Sequence, residues 1–95
     1  MLYAAKCYWP GVAEPALKRV AASAAREAQK LSRSGKPVAY LGCLLFPDDE
    51  LVLCLFESSS RTPVNQAAER AGMPCERLMK SIWLRSTAGE AGPSR

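Results

Sequence analysis

Histidine is absent from all 95 residues. The chain therefore lacks the side chain that most often activates a hydroxyl or thiol, shuttles protons near neutral pH, or ligates a transition metal. The run Ser58-Ser59-Ser60 has no ordinary base to make it nucleophilic. General acid–base work would fall to Glu57, Glu50, Asp48 and Lys6. Aromatic residues make up 7% of the chain, and none interleaves with Lys18, Arg19, Arg26, Lys30, Arg33 and Lys36. Those cations read as the solvated face of a helix, not as a nucleic-acid footprint. No stretch reaches the roughly 20 apolar residues of a membrane-spanning helix. Met1-Leu2-Tyr3-Ala4-Ala5-Lys6 lacks the charged-then-apolar order of a signal peptide. Cys7, Cys43, Cys54 and Cys75 show no C-x-x-C spacing and are expected to be thiols. Together these absences point to a cytoplasmic protein that engages neither nucleic acid nor membrane.

The apolar content, 48%, suffices for one small domain with a modest core. Its most informative stretch is Val38 to Glu57, where two β-prone segments flank the polar hinge Pro47-Asp48-Asp49-Glu50. A four-residue loop makes this a hairpin that pairs Phe46 with Leu51, Leu45 with Val52, Leu44 with Leu53 and Cys43 with Cys54. The segment Leu51 to Phe56 is apolar on both faces, so something must pack on each side of it.

Before the hairpin, Leu2 to Trp9 alternates as a strand and Pro10-Gly11 breaks it. Pro15 opens a helix whose inward stripe is Leu17, Val20, Ala21, Ala24, Ala28 and Leu31, closed by Gly35. After the hairpin, Thr62 is expected to cap a second helix with Pro63 in its first position and Val64, Ala67, Ala68 and Ala71 facing inward. Arg77 to Arg85 is expected as the last strand. The order is β-α-β-β-α-β, an α+β ferredoxin-like plait: a four-stranded antiparallel sheet with two helices on one face. It should occupy residues 1–86, followed by a disordered C-terminal tail at 87–95. The bare sheet face calls for a homodimer of the dimeric α/β-barrel type.

Three stretches carry a likeness to a known family: Cys7-Tyr8-Trp9-Pro10-Gly11-Val12, Cys54-Leu55-Phe56-Glu57 and Ala67-Ala68-Glu69-Arg70-Ala71-Gly72-Met73-Pro74. Together they resemble the small actinobacterial nickel-binding-protein-like proteins of a domain-of-unknown-function family. The resemblance spans Met1 to Leu84 and implies a dimeric ferredoxin-like fold with nickel as the metal. The chain departs from that pattern at the first strand. Lys6-Cys7-Tyr8-Trp9 stands where the family often has a histidine or carboxylate before the Pro-Gly turn.

Two groups of residues are candidates for a site. Cys43 and Cys54, placed opposite each other by the hairpin register, could bind a soft metal or oxidise to a disulfide, with Cys7 as a third sulfur. The plainer reading makes them small buried apolar residues. Tyr8, Trp9, Tyr40 and Glu57 could line a ligand pocket, against the plainer reading of aromatic packing and a solvated strand-end charge. Paired cysteines after the first strand, an aromatic RNA-binding signature and an anion-cradling loop are all missing, which removes three specialised uses of this fold. The expected function is a non-enzymatic binding protein that holds a metal or a small hydrophobic ligand near a dimer interface. The alternative is a cofactor-free α/β-barrel enzyme, monooxygenase- or isomerase-like, with a hydrophobic pocket.

Overall fold

The first strand sits inside the sheet, flanked by strands from the second half of the chain. In the computed structural model, which describes residues 1–85, the elements are β1 (Leu2–Tyr8), α1 (Glu14–Arg33), β2 (Val38–Phe46), β3 (Leu51–Ser58), α2 (Arg61–Arg70) and β4 (Cys75–Ser81). All pairings are antiparallel and the sheet order is β2-β3-β1-β4, the ferredoxin-like arrangement. The tail expected at 87–95 lies outside the described residues.

The hairpin adopts the expected register, Phe46 opposite Leu51 through Cys43 opposite Cys54. Its connection is a 3₁₀ turn at Pro47–Asp49, closed by Glu50 in the left-handed conformation. Glu50 also ties this loop to the exit of β1. Its carbonyl accepts from the Trp9 N–H at 2.9 Å, and its carboxylate accepts from the Gly11 N–H at 2.8 Å. Further along, the β2–β3 register slips between Tyr40 and Gly42, so that Leu41 is an extra residue. Gly42 adopts φ +135° there, a conformation open to glycine and few others.

Helix α1 ends as its sequence dictates. Gly35 has φ +90°, the Lys36 N–H bonds to the Leu31 carbonyl at 2.9 Å and the Gly35 N–H to the Ser32 carbonyl at 3.2 Å, a Schellman closure. Helix α2 closes the same way through Met73 and Ala68. Its start differs from expectation. Ser60 is the N-cap residue and Pro63 stands third in the helix, still within the turn whose N–H groups have no helical acceptor. Strand β1 stops at Tyr8, one residue early.

Strand β4 is also displaced, running Cys75–Ser81 instead of Arg77 to Arg85. The reason is the length of its neighbour: β4 pairs only with β1, and Ser81 faces Leu2, where β1 begins. Ile82, Trp83 and Leu84 continue the apolar pattern with no strand left to pair, and all three are exposed.

Both helices cover one face of the sheet. Beneath them lie Tyr3, Ala5 and Cys7 of β1, Val52, Cys54 and Phe56 of β3, and Val38 of β2, packed on Leu17, Ala24, Ala28 and Leu31 of α1 and Val64, Ala67 and Ala68 of α2. Alanine predominates on the inward helix stripes, which lets the helices approach the sheet closely. The buried Ser58 hydroxyl donates to the Pro37 carbonyl at 2.8 Å. The opposite face presents Leu44, Phe46, Leu51, Leu53, Leu55 and Met79 with no layer over them; Leu44 is 53% exposed.

Candidate functional site

Each strand contributes one cysteine, and all four lie on the face beneath the helices. In spatial order across the sheet they are Cys75, Cys7, Cys54 and Cys43, on β4, β1, β3 and β2. Cys43 stands directly opposite Cys54. Cys7 stands opposite Cys75, after a register shift between Lys6 and Cys7. Cys54 is opposite Ala5, and so diagonal to Cys7. The two inner thiols are sealed, Cys7 at 0% and Cys54 at 1% exposure, and the two on the edge strands are half-buried.

Burial and mutual contact separate these thiols electrostatically. The neighbouring Cys7 sulfur first, and burial second, push the Cys54 thiol far above the ordinary thiol range. Cys7, whose thiol donates to the Ala5 carbonyl at 3.7 Å, is held below that range by the Cys54 sulfur against the opposing effect of burial. Cys75 is raised, chiefly by burial. Beside the row, Tyr40 packs edge-on to Phe56 with ring centroids 5.3 Å apart. Its hydroxyl is enclosed without a hydrogen-bond partner, and burial, followed by the adjacent Cys43 sulfur, pushes the phenol well above its ordinary range.

The expected three-sulfur set of Cys7, Cys43 and Cys54 therefore shares one face. The sulfurs form a row, however, with neighbours on either side and not around a common point. Among the described residues, no group of three or more His, Cys, Asp or Glu side chains is arranged to hold a metal ion.

The four residues expected to line a ligand pocket are not brought together. Tyr8 and Glu57 lie on the bare face at opposite ends of the β1–β3 ladder, Tyr8 opposite Leu51 and Glu57 opposite Leu2. Six residues of strand, about 20 Å, separate them. Trp9 and Tyr40 pack against the core on the other face. Glu57 is exposed and pairs with the Met1 ammonium group.

Several hollows open on the surface of the described residues, and three bear on the thiol row and the bare face. A slot of about 260 Å³ between α1 and β2 is lined by Glu14, Leu17, Lys18, Ala21, Cys43 and Leu45. At one end of the bare face, Lys6, Tyr8, Asp49, Leu51 and Glu76 line an open depression of about 510 Å³. At its other end, Leu2, Leu41, Glu57, Trp83 and Arg85 line one of about 380 Å³. Cys75 is the member of the thiol row that sequence reasoning missed. Its place in β4 depends on the strand beginning two residues earlier than its alternation suggests.

Neither a family model nor a curated protein matches this sequence. Among solved structures, SCO4226 from Streptomyces coelicolor A3(2) has the same fold. The match has a TM-score of 0.68 and 16% identity, and covers 90% of this chain and 100% of the other. At that identity the likeness establishes the ferredoxin-like α+β architecture.

Proposed function

We propose that two copies of this chain associate through the bare sheet face, and that the dimer is a non-enzymatic binding protein holding a small ligand at the rim of that interface. The observation that carries this reading is the uncovered row Leu44, Leu51, Leu53 and Leu55, with Phe46 and Met79 beside it. A contiguous apolar face of this kind is uncommon on a monomer. The hollow around Glu57, Leu2, Leu41, Trp83 and Arg85 combines an apolar wall with one carboxylate and one guanidinium. It suits a small ligand with an apolar body and a polar head. Nickel, which the family resemblance implies, would have to be held by oxygen or sulfur donors, because the chain has no histidine. The enzymatic alternative called for one cavity joining Tyr8, Trp9, Tyr40 and Glu57, and those residues lie on two faces.

Sedimentation equilibrium at micromolar concentration tests the association: a dimer is expected, and a monomer overturns it. Native mass spectrometry and elemental analysis of the untagged protein, purified under reducing conditions, test the binding. A bound mass or stoichiometric metal that is lost in Glu57→Gln supports the site. A ligand-free dimer that also takes up no added nickel removes the binding role and leaves the assembly standing.

A further inference from the structure

Cys43 and Cys54 are matched in register and face but unequal in access. Their α-carbons are direct cross-strand partners. Such pairs stand about 4.5–5.5 Å apart, inside the range of about 4.4–6.8 Å that a disulfide spans. Cys54 is sealed in the core, whereas Cys43 is half-buried on an edge strand and forms part of the wall of the slot between α1 and β2. Cys43 is thus the member of the pair on the slot's wall, and the sealed Cys54 is its neighbour across the ladder. The other register pair, Cys7 and Cys75, differs in both respects. Cys7 is fully buried, Cys75 lines none of the three hollows described above, and the ladder is irregular at Cys7.

We propose that Cys43 and Cys54 form a peroxide-sensitive dithiol, in which Cys43 is the reacting thiol, Cys54 is the resolving thiol, and the α1–β2 slot is the route of access. The Cys43 sulfur attacks one oxygen of hydrogen peroxide; the O–O bond breaks, a sulfenic acid forms on Cys43 and one water leaves. The Cys54 sulfur then attacks the Cys43 sulfur, the S–O bond breaks and the S–S bond forms. The sulfenic hydroxyl departs as a second water with the Cys54 proton. One peroxide thus takes two electrons and two thiol protons from the pair. A dithiol reductant reverses the reaction by exchange, with Cys43 as its accessible sulfur.

The hairpin loop makes the test direct. Cleavage after Glu27, Glu50 and Glu57 separates Cys43, in fragment 28–50, from Cys54, in fragment 51–57. Reduced protein is treated with hydrogen peroxide, alkylated, digested with a glutamate-specific protease without reductant, and analysed by mass. The two fragments are expected to stay joined at a mass two hydrogens below their sum, and to part on adding dithiothreitol. Linkage of Cys7 to Cys75 instead, linkage between chains, or alkylated Cys43 and Cys54 after peroxide would overturn the proposal. Cys43→Ser, at a half-buried edge position, should slow thiol loss to the background of sealed thiols; an unchanged rate would count against it. In Cys54→Ala the sulfenic acid on Cys43 should persist and be captured by dimedone. If that variant fails to fold, the Cys43→Ser comparison and the fragment map still decide.

Discussion

The two faces of the sheet are built from the same four strands and yet differ in kind. Under the helices the central side chains are small or sulfur-bearing, Ala5, Cys7, Val52 and Cys54, with Tyr3 and Phe56 as bulky anchors toward one end. On the bare face, leucines from β2 and β3 stand side by side, bordered by Lys6, Tyr8, Glu57 and Arg77. The first face is finished within one chain, and alanine-rich helices fit against it because little protrudes from it. The second face is bulky at its centre and charged at its ends, the pattern of a surface completed by another surface. One face is closed over by the chain's own helices, and the other carries no layer from this chain.

Substitutions matched across the sheet separate these roles. Phe56→Ala should produce the largest effect, a loss of about 3–5 kcal/mol seen as a lower urea midpoint. A loss under about 1 kcal/mol would mean that the core is not centred there. Leu53→Asp, on the same strand as Phe56 but on the opposite face, should leave the circular dichroism spectrum of the monomer unchanged. It should weaken self-association by about thirtyfold or more, the effect of removing an interface anchor worth about 2 kcal/mol. A variant that unfolds instead would place Leu53 in the fold and not in the interface.

The smallest predicted effect is a dependence on alkaline pH that arises on the covered face. Cys54, Cys75 and Tyr40 all titrate higher in the folded chain than in the unfolded one. The stability linked to the two thiols is fully present below their ordinary value of 9.0 and is lost as pH climbs toward their folded values. Cys7, shifted downward, has delivered its contribution by that pH and does not reverse the decline. Unfolding free energy should therefore fall above about pH 9 by about 1.4 kcal/mol per pH unit for Cys54 alone, and less steeply in Cys54→Ala. A flat profile from pH 8 to 10.5 would contradict it.

Much of this architecture was legible in the residues. The polar hinge Pro47 to Glu50 set the hairpin register, and with it the pairing of Cys43 and Cys54. The proline and glycine punctuation located both helices to within a few residues. The face carrying the cysteines was not read, because alternation sorts residues into two sets without saying which set the helices cover. A usable signal was present in Lys6, whose charge is poorly placed under apolar helices and which alternates with Cys7. The extent of β4 was misjudged for a different reason. The pattern from Ile82 to Leu84 is locally strand-like, but pairing ends where β1 ends, and that limit lies far away in the sequence. Residue type alone suggests a ligand pocket from Tyr8, Trp9, Tyr40 and Glu57, and only the register of β1 against β3 shows Tyr8 and Glu57 at opposite ends of the ladder.

The extra residue at Leu41 bears on how these sheets can meet. An edge strand normally offers its free amide and carbonyl groups to any passing strand, which is the first step toward fibrous growth. In β2 that offer is interrupted: on either side of Leu41 and Gly42 the hydrogen-bonding groups are out of step, so a strand aligned with one half is misaligned with the other. The fault discourages open-ended lateral stacking along this edge, so that in the proposed dimer two sheets would join across the leucine surface and close on themselves.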